Sequence, residues 1–421
     1  MSATSTAAGP SASVEPANHS IRSRRHHSFG FWAATVAFLV NMGFSAVPTP
    51  LYVLYQRRDH FSTLMVTVVY AVYAVGVIAS LFLGGHISDW AGRKRVFVPA
   101  LLVNVLSAVI FVLAPSLPGL LVARVISGVS VGLTTATATA YLHELHAGSR
   151  ARGGSGSARR GQIVATAANL GGIGVGPLIA GLLAQYAPQP LRLSYYVFGI
   201  ALIILAVLVA VSPETTTRMN PMPAWRPQRI AVPAHTRRLF FAATAAGVAS
   251  FAVFGVFNSL APSFLAGTLH QQSHAVAGAV AFVAFAGGAL AQIALGRAGT
   301  RLTLRISPFV LLPGLALLTG GMWLPSLAMF VVGGAVTGAG AGLVFRGALT
   351  ATSTAAPEGS RAEVLAGYFL GSYLGLSVPV VGLGIATHYA AARDVMLVFV
   401  VIVAVAVMLA IRAVLTETRT T

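Results

Sequence analysis

The stretch Gly84-Gly85-His86-Ile87-Ser88-Asp89-Trp90-Ala91-Gly92-Arg93-Lys94-Arg95 decides how this chain is read. It is a short, charged turn punctuated by glycine, with a long apolar run on either side. The runs suit hydrocarbon and the turn does not. Two membrane helices joined by a tight basic loop therefore fit this segment, and the same pattern extends along the chain.

Composition sets the class. Hydrophobic residues make up 56% of the 421 residues and charged residues only 9%, with mean hydropathy +0.81. A soluble domain carries about 25% charged residues, so apolar surface here faces lipid. There is no cysteine, which excludes a disulfide framework and a thiolate metal site. Apolar runs recur at 31–55, 62–84, 96–115, 120–142, 162–187, 192–212, 239–261, 275–296, 306–323, 327–347, 362–388 and 393–414. Each is long enough to cross a bilayer. They do not alternate as barrel strands would, so helices are expected: an all-α membrane protein with twelve transmembrane helices.

The basic residues fix the orientation. With the N-terminus inside, 22 of the 27 fall in inner segments, and Arg57, Arg58, Arg192 and Arg393 fall outside. Arg124 lies within a span. The positive-inside rule then places both termini in the cytoplasm of a multi-pass cell-membrane protein. The formal charge of +18 is met by anionic membrane lipids, with no need of nucleic acid.

The linker 213–238 holds five prolines and five arginines and divides the spans six and six. The expected layout is a disordered cytoplasmic tail 1–30, an N-terminal six-helix bundle 31–212, this cytoplasmic linker, a C-terminal bundle 239–414 and a tail 415–421. Internal similarity supports a repeat. Asp89-Trp-Ala-Gly-Arg-Lys-Arg95 after the second span parallels Gly296-Arg-Ala-Gly-Thr-Arg-Leu302 after the eighth. Gly128 and Gly132 in the fourth span parallel Gly334 and Gly338 in the tenth; Pro177 in the fifth parallels Pro379 in the eleventh. Two pseudo-symmetric halves are a known transporter plan, with a site between them.

In the 84–95 turn, Gly85 and Gly92 permit backbone with φ > 0. Asp89 is a carboxylate at the membrane edge, open to a helix N-terminus or an arginine. A bare topology anchor would need neither the acid nor the glycines. The string resembles the inner-loop motif of the major facilitator superfamily, Gly-x-x-x-Asp-x-x-Gly-Arg-Lys/Arg-Arg. That resemblance implies the two-bundle fold and a loop that gates the inner face. It implies that Asp89 bridges to the other half near the inner start of the eleventh span. It also implies that Arg93 joins a charge relay with Glu144, completed by a basic residue such as Arg152 or Arg160.

Other motifs carry two readings each. Arg124 heads Arg-x-x-x-Gly128-x-x-x-Gly132. An intramembrane arginine points to function, or else it snorkels to an interface about five residues away. The pattern is similar to the family's fourth-span motif, which implies a part in proton transfer. Gly172, Gly176, Pro177, Ala180 and Gly181 in the fifth span form a smooth, bent stripe, suited to close packing. It resembles the motif of the superfamily's exporter branches. Pro213-Glu214-Thr215 closes the sixth span, another recurrent family feature. Asn41, Arg124, Asn258 and Tyr373 are the polar or aromatic candidates for the substrate and proton pathway.

None of the nine acidic residues falls at a span centre. Proton coupling would therefore run through Glu144, Asp89, His143 or His146, or be absent. No paired catalytic carboxylates gather at one face, which argues against an enzyme. The expected protein is a monomer without cofactor or metal. It exports small organic, drug-like substrates by alternating access, with protons as the expected coupling ion; the alternative is a facilitator or importer of a sugar or organic anion.

Overall fold

Backbone amides that cross hydrocarbon must pair within their own segment. The computed structural model meets this with helices, and no strand occurs among the described residues, which are 15–151, 158–216, 224–228, 232–357 and 361–420. Twelve helices are long and apolar enough to span: Arg25–Asp59, Thr63–Gly84, Arg93–Leu113, Leu117–Arg150, Arg160–Tyr186, Pro190–Ala210, Ala234–Ser259, His274–Arg297, Thr300–Trp323, Leu327–Ala355, Glu363–Ala386 and Ala392–Thr418. They are the first to twelfth spans below. The end of the bundle bearing both chain termini is called the terminal end, and the opposite end the far end.

Several boundaries differ from the sequence reading. The first helix starts at Glu15, inside the stretch 1–30 expected to be a disordered tail. Pro16 falls in its first turn, where a missing N–H costs nothing, and no glycine or proline follows until Gly30. Pro48 and Pro50 break this helix into a 3-10 turn at Thr49–Leu51, and Tyr52–Asp59 continues it. The last helix runs to Thr420, through most of the expected tail 415–421. There Thr416 and Thr418 bond back to the carbonyls of Arg412 and Val414 at 2.9 Å. A 3-10 turn at Ala234–Thr236 leads into the seventh span within the expected linker. A π turn at Ala167–Gly171 interrupts the fifth span, one extra residue per turn of the kind found near functional sites.

Each half has its own apolar core. One is built on residues of the first six spans and the other on residues of the last six. Tyr373, Leu376 and Val380 of the eleventh span pack into the first of these. The repeat is visible in backbone contact. A methyl group added at Gly128 would lie 2.1 Å from the Tyr73 carbonyl, and one at Gly338 would lie 1.9 Å from that of Ala284. The fourth span thus rides on the second as the tenth rides on the eighth, an approach only glycine permits.

The halves meet along two pairs of spans, the second on the eleventh and the fifth on the eighth. Among the described residues, most side-chain hydrogen bonds between the halves lie towards the far end, with Ser377 to Ala71 nearer the middle. Thr49 donates to the Asn258 carbonyl at 2.8 Å, Ser263 to Gln56 at 3.2 Å, and the His274 amide to Gln185 at 2.9 Å. Arg57 donates to Gln272, and Ser377 to the Ala71 carbonyl at 3.3 Å. At the terminal end, the linker touches the second span: Trp225 Nε1 donates to the Leu83 carbonyl at 3.0 Å and the Gln228 amide to that of Phe82 at 2.7 Å.

Candidate translocation site and gate

The terminal-end loop comes first because its sequence signal was strongest. The second span ends at Gly84, a one-turn helix covers Ile87–Ala91, and the third span starts at Arg93. Gly92 joins the last two with φ +110°, a conformation L side chains rarely adopt. Gly85 stays right-handed at φ −58°, so the left-handed freedom expected of it is unused.

Gly92 has a second constraint. An added methyl would lie 2.7 Å from Glu214 Oε2. That carboxylate caps the third span, accepting from the amides of Arg93 at 2.9 Å and Lys94 at 3.2 Å. A negative charge is favourable there, where free N–H groups and the helix dipole converge. Lys94 does the converse at the sixth span's C-terminus, donating to the carbonyls of Ala210 and Ser212 at 2.9 and 3.0 Å.

Arg93 is the hub. Its guanidinium meets Glu144 at 2.9 Å, donates to Ser88 at 2.9 Å and pairs with Asp89. Its side chain is only 11% exposed, so these partners replace solvent rather than compete with it. Glu144 also accepts from Thr215 at 2.5 Å, and Tyr141 donates to the Pro213 carbonyl at 2.6 Å. The Arg93–Glu144 contact expected from the motif is present. Among the described residues the ion pair of Asp89 is with Arg93, four residues on in its own half; residues 358–360, before the eleventh span, lie outside the described residues. Of the two residues expected as third member, Arg152 lies outside the described residues and the Arg160 guanidinium lies 6.0 Å from the Trp32 ring centre. Glu214 stood out in the sequence only as part of Pro213-Glu214-Thr215, because nothing in a three-residue string announces a partner 121 residues away.

A second polar group sits deep in the bundle towards the far end. Arg124 is 1% exposed. It does not snorkel: Nη1 donates to the Ser45 carbonyl at 2.6 Å, and the guanidinium lies 4.5 Å from the Tyr73 ring centre and 5.6 Å from that of Tyr70. Tyrosine faces attract a cation. Arg124 Nε, Tyr70 Oη, Ser127 Oγ and Asn258 Oδ1 are buried without a hydrogen-bond partner. Tyr70 on the second span faces Asn258 on the seventh, across the two halves.

Asn41, expected on the pathway, is fully buried among the first, third and fourth spans. It donates to Thr134 at 3.1 Å and accepts from Asn104 at 2.8 Å and Ser130 at 3.3 Å. The Asn41 amide is thus fully paired, while Asn104 Oδ1 in the same group has no partner; such bonds tie the three helices together. Tyr373 lies beside Thr135 and Tyr73 of the other half. It also opens an aromatic wall that the sequence reading missed. Phe251 lies 5.3 Å from Tyr373 and 5.0 Å from Phe345, and Phe345 lies 6.2 Å from Phe369. These residues come from three spans, so no single stretch of sequence carries the signal.

The fifth-span stripe divides between two neighbours. Methyl groups at Gly172 and Gly176 would meet the carbonyls of Leu39 and Gly43 on the first span at 2.4 and 2.0 Å. One at Gly181 would meet the His274 carbonyl on the eighth span at 2.4 Å, and the Pro177 carbonyl lies 2.2 Å from the corresponding position of Gly278. Gly132 faces Ser80 of the second span. The stripe is therefore a joint within the N-terminal half and between the halves.

Twelve helices in two repeated bundles that meet along two pairs of spans, with a charged loop at one end, define a transporter fold. The family comparison agrees: a sequence model of the Major Facilitator Superfamily matches residues 33–270, more than half the chain, and the protein belongs to that superfamily. Among solved structures it is similar to a mutant of the nucleoside transporter NupG, with TM-score 0.64 and 14% identity over 90% of this chain and 99% of that one. Sequence comparison with curated proteins gives no match.

Proposed function

We propose that the protein exports small organic, drug-like molecules across the cell membrane by alternating access. In this reading the terminal end is cytoplasmic, which the arginine distribution supports, and the far-end hydrogen bonds close the outer side. The observation that carries it is the fifth-span joint. Gly181 and Gly278 bring the backbones of the fifth and eighth spans together, and the π turn at Ala167–Gly171 interrupts the same fifth span about 15 Å further towards the terminal end. A tight glycine contact seals the outside, and the irregular turn further along the span gives the halves a place to bend. The Arg93 cluster rigidifies the N-terminal half where the inner gate opens.

A second reading, a facilitator or importer of a sugar or organic anion, is favoured by Arg124. Among the described residues no ion pair joins its guanidinium to a carboxylate. Direction separates the two. The test is accumulation of a compound panel, nucleosides included, in cells with and without the protein, repeated with Asp89→Asn. Export predicts lower accumulation with the protein present, restored by Asp89→Asn. Higher accumulation would reverse the direction. A panel response abolished by dissipating the proton gradient adds proton coupling to the reading.

A further inference from the structure

The C-terminal half carries a groove of about 770 Å³ between the seventh, eleventh and twelfth spans, and its lining residues all belong to that half. Its floor is made of short side chains, among them Ala245, Ala249 and Ala252 of the seventh span. Pro379, inside the eleventh helix, leaves one carbonyl without its helical partner and bends the backbone. Gly375 and Gly382 flank it two turns apart on one helix face. A methyl group added at Gly375 would lie 2.4 Å from the Val248 carbonyl, whereas one at Gly382 would meet nothing within 4 Å. The face that is closed before the proline is open after it. Val398 and Ile402 line the groove and are more than half exposed, so it opens sideways, where a membrane-spanning bundle faces hydrocarbon. From Asp394 to Ala406 it follows the twelfth helix for about 18 Å. One leaflet of hydrocarbon is about 15 Å deep. The groove thus runs from the far-end edge of the membrane to near its middle, as an acyl chain does.

The far-end mouth is charged. Every lining side chain but one is apolar, and the exception is Asp394, in the first turn of the twelfth helix. Beside it, the Arg393 guanidinium lies 5.0 Å from the Trp323 ring centre, and its Nε is 3.9 Å from Asp394 Oδ1. Both side chains are about half exposed, so this loose pair leaves each free to bind another group. Tryptophan at the end of a span marks the headgroup layer. An anchoring belt and a favourable charge at a helix start account for these residues alone, but not for the groove that runs down from them.

We infer that the groove holds one phospholipid, its acyl chain on the seventh-span alanines, its phosphate on Arg393 and a primary ammonium on Asp394. The chain supplies no preference, because lipid tails are as apolar as the groove; it fills space whose lining would otherwise lose contacts. The headgroup decides. Arginine forks onto phosphate, and a carboxylate accepts from an ammonium only where N–H groups remain. Phosphatidylethanolamine therefore fits. Phosphatidylcholine has a trimethylated nitrogen that donates nothing, and phosphatidylglycerol has no cation for Asp394. None of this depends on what is transported or in which direction.

The test presents purified full-length protein in detergent with equal amounts of the dioleoyl ethanolamine, choline and glycerol lipids. Native mass spectrometry reads the lipid retained, and size exclusion checks that each variant is folded. The ethanolamine lipid should be retained about fivefold over each of the others, a modest ratio because half-exposed charges are screened. Asp394→Asn should bring its ratio to the choline lipid down to about one. Gly382→Leu places a side chain in the groove where its first carbon meets no neighbour, and should expel the lipid whatever its headgroup. Val398→Trp should do the same from the twelfth span, so the result survives if one variant fails to fold. Equal retention of the three lipids, or an ethanolamine preference that outlasts Asp394→Asn, overturns the headgroup assignment and with it the proposal. Retention unchanged by both groove-filling substitutions in folded protein places the lipid elsewhere and overturns it too. So does a lipid-free dimer that the same two substitutions break, which would assign the groove to a second copy of the chain.

Discussion

The loop between the second and third spans and the loop between the eighth and ninth occupy equivalent places in the two halves, yet only one is locked. In the first, Gly92 is left-handed, Glu214 caps the following helix, and Arg93 ties Ser88, Asp89 and Glu144 together. In the second, Gly299 sits in ordinary extended backbone at φ −64°, and an added methyl would meet nothing within 4 Å. No side chain caps the ninth span. What holds that end is Arg346, whose guanidinium donates to the carbonyls of Gln292 and Gly296 at 2.7 and 3.0 Å. The repeat has kept the glycine and the turn but not the acids. Rigidity at the terminal end comes from ion pairs and caps in the N-terminal half and, among the described residues of this loop in the other half, from Arg346 on helix-end carbonyls.

That contrast can be broken most directly at Arg93. Arg93→Ala leaves buried Ser88 and the partly exposed Glu144 without the guanidinium they share. It should cost about 2–3 kcal/mol, read as a lower melting temperature in detergent. Combining it with Glu144→Ala should recover about 1 kcal/mol of the two separate losses; strict additivity would mean the pair does not couple. Next is Gly92→Val, which must leave its left-handed backbone and displace Glu214, at about 2 kcal/mol. Arg346→Gln probes the other half. Its carbonyl partners sit near a helix end where water can reach them, so the loss should be about 1 kcal/mol. Smallest is Gly299→Ala, expected within about 0.5 kcal/mol of the parent. A Gly299→Ala penalty as large as that of Gly92→Val would erase the asymmetry.

The spans were legible because lipid demands long apolar runs, and polar stretches end them. Their limits shifted where local chemistry overrode composition: Pro16 starts a helix early, and Pro48 and Pro50 break one that hydropathy reads as continuous. Arg93 and Glu144 were legible through a spaced motif. For Asn41 the sequence shows a polar residue within a span but not its surroundings, because a buried amide that binds helices and one that binds cargo look alike in sequence. Its neighbours Asn104, Ser130 and Thr134 lie on two other helices. The role of Glu214 and the phenylalanine wall escaped for the same reason: their partners lie on other helices, at separations no periodicity records.

The two apolar cores have a consequence for how this molecule comes apart. Because each bundle buries its own side chains, neither depends on the other for most of its cohesion. Warming in detergent should therefore produce two melting steps, and separately made fragments 1–216 and 224–421 should find each other again. The bond from Trp225 to Leu83 would then act as a clasp between pieces that already hold their own shape.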